Sequence, residues 1–410
     1  MHYRRKYILS VIILVTGCGF RLFASDTLSF TTVESKSYNL YLQKDWKRLG
    51  NFCEFALGKG YDYYYLRVRA GIAYFEQYQY RKAAVHFEKA ALFNASNFDK
   101  AYLYYCYLYS ERFEQARLLS KSFDVELRSA LKIRSNTFTG AGIEGGVKKS
   151  NDRLYNDGIY SQLSLTQSAF KDVSLLHAAT YYMQDEWRFS VKQYQYFLQL
   201  RKAFKHNFLL SVAIHLIADE IVVYDTTVVE HLSPPKPPTK TPITVDKNTF
   251  GYVGAFVLTK HTALFDFSIG TTTVFLDTLN QYQLSGAVTW YPFKNNRLLI
   301  SGNLYAHSND NFTTTNFAVS PVVNFYITRK ISLAVSYFSN ANGPNITENN
   351  GYFVNNSIDH TLSRYTFSAS APVTKKIYIY GIYTFENKVN TRNAYTYRYD
   401  MGVIGLKIVL

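Results

Sequence analysis

Charged side chains make up only 18% of the 410 residues, against roughly 25% in a soluble globular chain, so the protein either hides much of its surface or faces lipid. Cysteine is equally sparse. No metal set can be built from Cys18, Cys53 and Cys106. Cys53 and Cys106 lie in helical surroundings and read as small buried hydrophobes, with a disulfide open to them in an oxidising compartment. Long apolar runs are missing too. The stretch YQYFLQLRKAFKHNFLLSVAIHL (194–216) is too greasy for an exposed sheet, yet Arg201, Lys202, Lys205 and His206 break it before it reaches the roughly 20 residues of a membrane helix. Reaction motifs are absent as well. His177, His215, Glu144 and Asp266 fall within strand patterns without a GxSxG, HExxH or paired-carboxylate motif, so no catalytic, cofactor-binding or metal residue is assigned and no enzyme is expected. The net charge of +15 comes without a dense Lys/Arg cluster. Its basic residues are scattered into turn-like segments such as FKNNR, ITRK and VTKK, which argues against a nucleic-acid partner.

What is abundant is the phenyl ring, with 37 Tyr and 30 Phe beside only 3 Trp. The chain opens on Arg4, Arg5 and Lys6, an apolar run from Tyr7 to Val15, and small residues at Ala24 and Ser25; residues 1–24 read as an export signal. Val15-Thr16-Gly17-Cys18 also resembles a lipoprotein box, while Leu22-Phe23-Ala24 before Ser25 fits ordinary signal cleavage.

From residue 32 to 133 apolar residues recur at helical spacing and no proline intervenes. In YYYLRVRAGIAYFEQYQYRKAAVHFEKAALFN (63–94), Gly71 and Tyr74 share one helix, and Ala83, Phe87 and Ala90 share a second. These five residues resemble the signature of the tetratricopeptide repeat (TPR), a 34-residue antiparallel helix pair. Arg67, Ala70 and Ala95 depart from it. Residues 45–60 look like the second helix of a preceding repeat, stopped by Gly58 or Gly60, and 98–123 like a following pair. A plain helical bundle is the alternative. The Tyr63–Tyr65 and Tyr102–Tyr109 clusters either line a partner groove or pack between helices.

After Ser135 the period becomes 2. In VKQYQYFLQLR, Tyr194, Tyr196, Leu198 and Leu200 oppose Gln193, Gln195, Gln199 and Arg201; in NFLLSVAIHL, Phe208, Leu210, Val212, Ile214 and Leu216 oppose Asn207, Ser211, Ala213 and His215. QYQLSGAVTWY and NFAVSPVVNFY divide likewise. Tight turns near 168–172, 205–207, 260–262, 294–296, 328–330 and 374–376 alternate with loops near 149–157, 183–189, 218–247, 277–280, 308–313, 340–359 and 387–394, which makes about 14 strands. A β-sandwich also alternates, but its connectors do not divide this way. Five prolines in SPPKPPTKTP (233–242) mark an extended external loop.

The pattern predicts an α + β two-domain chain: a helical array at 32–133, then an antiparallel transmembrane β-barrel at 137–410. Candidate lumen-lining residues are Glu144, Lys148, Gln193, Gln195, Gln199, Arg201, His215, Asp266 and Arg364, whose charges nearly balance. The ending Ile404-Gly405-Leu406-Lys407-Ile408-Val409-Leu410 resembles a barrel-assembly signal with Leu in place of Phe, and a parity slip between Asp400 and Val403 predicts a bulge at Gly402. This architecture resembles bacterial outer-membrane proteins in which TPRs precede a barrel, the YaiO-like and Bacteroidetes TPR-barrel proteins and, with more repeats, exopolysaccharide exporters. The resemblance implies an outer-membrane channel or export pore of a Gram-negative bacterium, porin-like, with a periplasmic TPR domain that docks a protein partner. Its other partners would be outer-membrane lipid and a solute or polysaccharide, with no cofactor. The alternatives are a non-conducting barrel that anchors the repeats and, third, an outer-membrane enzyme.

Overall fold

The structure, a computed structural model, describes residues 28–410 except 95, 134–136, 170–172, 187–188, 227–239, 277–278, 310–313, 329, 341–345, 355–358 and 391–394. The expected export signal (1–24), the lipoprotein-like box at Cys18 and most of the proline-rich stretch lie outside the described residues.

Seven helices come first among the described residues: α1 (Phe30–Leu42), α2 (Trp46–Gly58), α3 (Tyr64–Glu76), α4 (Tyr80–Phe93), α5 (Asn97–Tyr109), α6 (Phe113–Ser120) and α7 (Val125–Ala130). Oxygen side chains start four of them: Ser29, Asp45, Ser96 and Asp124 accept from backbone N–H groups in the first turns of α1, α2, α5 and α7. Gly60, at φ 92°, follows the end of α2, while Gly58 is its last helical residue. The first six helices form three hairpins. Each turns on a residue in the left-handed region, Lys44 (φ 54°), Tyr78 (62°) and Glu111 (57°), 34 and 33 residues apart, and an aromatic residue, Trp46, Tyr80 or Phe113, opens each returning helix.

Gly71 lets α3 approach α4 so closely that a β-carbon there would lie 2.8 Å from the Phe87 ring. Phe87, Ala83 and Ala90 are fully buried in this seam. Cys53 and Cys106 are free, buried thiols; burial pushes Cys53 up to about 12, so it stays an inert packing group. Of the tyrosine clusters, Tyr102, Tyr104 and Tyr107 pack in the helical core, while Tyr65 and Tyr109 are exposed.

Fourteen long antiparallel strands then close into one barrel in chain order: β1 (Phe138–Ser150), β2 (Tyr155–Ala169), β3 (Val173–Glu186), β4 (Phe189–Phe204), β5 (Phe208–Thr226), β6 (Lys240–His261), β7 (Phe265–Leu276), β8 (Leu279–Trp290), β9 (Leu298–Asn309), β10 (Thr314–Tyr326), β11 (Ser332–Asn340), β14 (His360–Pro372), β15 (Ile377–Val389) and β16 (Thr396–Val409). The register between β1 and β16 runs from Gly140–Val409 to Ser150–Tyr399 and seals the sheet. Two short strands, β12 (Thr347–Glu348) and β13 (Phe353–Val354), pair separately. The helical domain followed by about fourteen strands is thus the observed fold class. Leu163, Ile269, Leu304, Phe317 and Ile404 stand outward in mid-strand at 60–68% exposure. An apolar face this exposed around a whole barrel suits lipid and not water.

Three expectations need correction. The loop placed at 218–247 is much shorter, because β5 and β6 stay paired through Ile221–Lys247 and Tyr224–Pro242 to Thr226–Lys240. A register shift after Val222 accommodates Pro242, which has no N–H to give the ladder. No bulge occurs at Gly402: β16 keeps continuous register with both neighbours. Inward parity is unbroken along the strand, with Tyr397, Tyr399 and Val403 all buried inside the barrel and the two tyrosine hydroxyls bonded to Asp359 and Gln184. Finally, the segment expected as a loop at 340–359 carries the β12–β13 hairpin, folded into the lumen.

Candidate functional site

The helical domain sits across the barrel end that carries the short turns. Arg81, in the first turn of α4, is 1% exposed and reaches between β6 and β8. Its guanidinium donates to the Thr262 carbonyl at 2.8 Å and to the Asp266 carboxylate, and stacks over the Tyr291 ring at 3.6 Å. Its backbone N–H donates to the Lys294 carbonyl at 3.0 Å. Asp266 also accepts from the Tyr291 hydroxyl at 2.7 Å and lies 2.9 Å from His261 Nδ1. Burial and the neighbouring Asp266 raise the Tyr291 phenol, which keeps it a donor.

Further contacts spread along the same rim. Arg112, which precedes α6, donates to Asn207 Oδ1, and Asn207 donates to Glu88 at 2.9 Å. Asn207 and His206 hold positive φ (63° and 60°) in the tight β4–β5 turn, which turns the Asn207 amide toward the helices. Glu114 lies 3.3 Å from Arg201 and accepts from Ser174, and Arg117 donates to Ser174 at 2.8 Å. The Tyr326 hydroxyl donates to Glu111, and Asn295 donates to the Tyr78 carbonyl. The turns of the second and third helical hairpins therefore rest on strands β3 to β10.

From the other end the β12–β13 hairpin crosses the lumen. Thr347 and Gln283 exchange two hydrogen bonds, at 2.8 and 3.1 Å. His215 is 2.9 Å from the Gly351 carbonyl through Nδ1 and 3.0 Å from Gln195 Oε1 through Nε2. Tyr352 packs edge-on against Phe197 with centroids 4.8 Å apart. Gly351 has φ 82°, and a β-carbon there would come within 3.2 Å of Val253, so glycine suits the tip on both counts. At the hairpin base Glu348 pairs with Arg364, and Ile346 is fully buried against Tyr305, Ala318 and Phe338.

Between hairpin and helical domain lies a chamber of about 510 Å³, walled by β3 to β9. On the side of the lumen formed by β1, β2 and β14 to β16, described side chains bond to one another. Glu144 accepts from Tyr160, Tyr380 and Gln162; Lys148 lies 4.0 Å over the Tyr399 ring; Lys388 is 3.9 Å from Glu386; and Tyr155 and Tyr397 both donate to Asp359. Of the candidate lumen residues, Gln199, Arg201 and Asp266 border the chamber, His215 and Arg364 hold the hairpin, and Gln193 and Gln195 bond to each other, to Asp219 and to His215. Glu144 and Lys148 belong to the bonded side. Sequence reasoning missed Arg81, Arg112 and Glu114, since their barrel partners lie 60 to 185 positions away, and it missed Glu348, Lys388 and Asp359. Lys388 and Glu386 share the inward parity of β15, which a strand-by-strand reading of that strand would have found.

Among the described residues no group of three or more His, Cys, Asp or Glu side chains forms a metal-binding set. No family model matches the chain, and no curated protein matches it in sequence. Solved structures do match in fold. A TodX monoaromatic hydrocarbon channel mutant is 6% identical with a TM-score of 0.47 and covers 68% of this chain and 92% of its own. The CymD monoaromatic hydrocarbon channel is 9% identical with a TM-score of 0.45, covering 68% and 90%. An outer membrane protein of Acinetobacter baumannii, Omp33, is 9% identical with a TM-score of 0.36, covering 67% and 100%. Identities below 10% and TM-scores below 0.5 assign this chain neither a solute nor a role.

Proposed function

We propose that the protein is a non-enzymatic outer-membrane channel held closed, with its helical domain in the periplasm as a TPR-type module that docks a partner protein. The observation that carries the channel reading is the chamber of about 510 Å³ inside a closed barrel, lined at one end by the β12–β13 hairpin and bordered at the other by Arg201 and Asp266, which the helical domain contacts. The hinge residues spaced 34 and 33 apart support the repeat reading, because the TPR unit is 34 residues long. Phe30, Tyr38 and Tyr65 on the first helices of the first two hairpins are 47–60% exposed, which leaves aromatic surface for a protein partner. Outer-membrane barrels keep their short turns on the periplasmic side, and the helices rest on those turns.

A second reading also has an observation behind it. Hairpin and helical domain together fill both approaches to the chamber, which suits a barrel that only anchors the repeats. Planar-bilayer recording separates the two. The wild-type protein should pass little current, and a variant that lacks residues 30–130 and has residues 341–359 replaced by a short turn, so that both approaches are clear, should conduct, provided it keeps heat-modifiable gel migration. Silence from a folded variant of this kind overturns the channel and leaves the anchor.

A further inference from the structure

Deepening the channel reading, on which it rests, we propose that the chamber is a binding site for an uncharged polyhydroxylated solute, a mono- or disaccharide. Its volume of about 510 Å³ falls within the roughly 300–1,000 Å³ of small-molecule sites.

The wall chemistry selects the class. Gln199, Ser211, Thr272, Ser285 and Asn303 place hydroxyls and amides on it, groups that both donate and accept, as sugar hydroxyls do. Phe197, Tyr305 and Tyr352 add ring faces and edges against which the C–H face of a pyranose packs. Ser211 Oγ and Thr347 Oγ1 are buried without a hydrogen-bond partner, and each gains from a polar occupant. The bordering charges are already engaged: Glu114 lies beside Arg201, and Arg81 and Tyr291 hold Asp266. No uncompensated charge is left to attract an ionic sugar, and although Leu176, Leu209 and Val257 share the wall, the unpartnered hydroxyls of Ser211 and Thr347 stay unsatisfied against a hydrocarbon.

The test is equilibrium binding by calorimetry, on the full-length protein in a zwitterionic detergent without a sugar head group. Maltose is the probe, with glucuronate, glucosamine and toluene as comparisons. Maltose should bind saturably, the two charged sugars roughly tenfold more weakly, and Gln199→Leu should weaken maltose by roughly tenfold through loss of hydrogen bonds. Thr272→Val serves in its place if Gln199→Leu fails the gel test of folding. Absence of maltose binding, equal or tighter binding of toluene or glucuronate, or unchanged maltose binding in the folded variant overturns the proposal. Because binding needs no conduction, a chain that binds maltose but stays silent in bilayers keeps the site and loses the channel, and the converse keeps the channel and loses the site.

Discussion

Glu54 lies 2.7 Å from Lys82 and 3.2 Å from His86, so it ties α2 to α4. The hydrogen bond from His86 outweighs partial burial, Lys82 adds to it, and the carboxyl is pulled down to about 2. Glu34 is lowered by its hydrogen bonds from Arg69, and Asp62 by those from Arg67, so three carboxylates of the helical domain prefer the ionised form. A carboxylate depressed in the folded state contributes stability that is complete above its unfolded value, about 4.3 for Glu, and is lost as pH falls toward the folded one. The helical domain should therefore melt at progressively lower temperature between about pH 4.5 and pH 2. Circular dichroism at the helical band reads this, since the described barrel strands add little helix. Glu54→Gln should flatten the slope, and an unchanged slope in that variant would remove Glu54 from the account.

At the scale of elements the seam between α3 and α4 offers the sharpest test. Alanine favours a helix over glycine by roughly 1 kcal/mol, but a methyl at Gly71 meets the fully buried Phe87 ring at 2.8 Å, and overpacking costs about 1–3 kcal/mol. Gly71→Ala should lower helical-domain stability by about 1 kcal/mol in urea titration, and adding Phe87→Leu should recover part of it. A stabilised Gly71→Ala would mean that the seam has room. This seam was legible in the sequence because Gly71, Ala83, Phe87 and Ala90 lie close along the chain and follow helical spacing. The strands were legible for the same reason: Tyr194 and Tyr196 alternate with Gln193 and Gln195, and lipid and lumen differ enough to stamp that alternation. The parity of β16 was harder to read, since a tyrosine such as Tyr397 or Tyr399 suits a lipid interface and, through its hydroxyl, a polar lumen alike, and the expected bulge at Gly402 does not occur. The hairpin at 347–354 and the Arg81–Asp266 pair left no local trace. Each is defined by its partner across the fold, 64 positions away for Thr347–Gln283 and 185 for Arg81–Asp266.

The whole molecule joins two bodies of different kinds. The barrel closes every strand edge by pairing, including β1 with β16, so opening it breaks many ladder bonds together. The helical domain is a stack of short hairpins, each leaning on its neighbours, and it meets the barrel through polar contacts along one rim, around the buried Arg81–Asp266 pair. Stability in such a chain is not uniform, and two transitions are expected in place of one. On heating, the helical circular-dichroism signal should fall while gel migration stays that of the folded barrel. Arg81→Ala strips Asp266 of its ion partner from the helical side, and loss of one member of a buried pair costs about 3–5 kcal/mol. The remaining Tyr291 and His261 contacts reduce that cost. The variant should therefore lower the helical transition by several degrees and leave the barrel transition in place. If both transitions move together, or only one exists, the helical domain is part of the barrel's cooperative unit, and a closure that lifts as a body is ruled out.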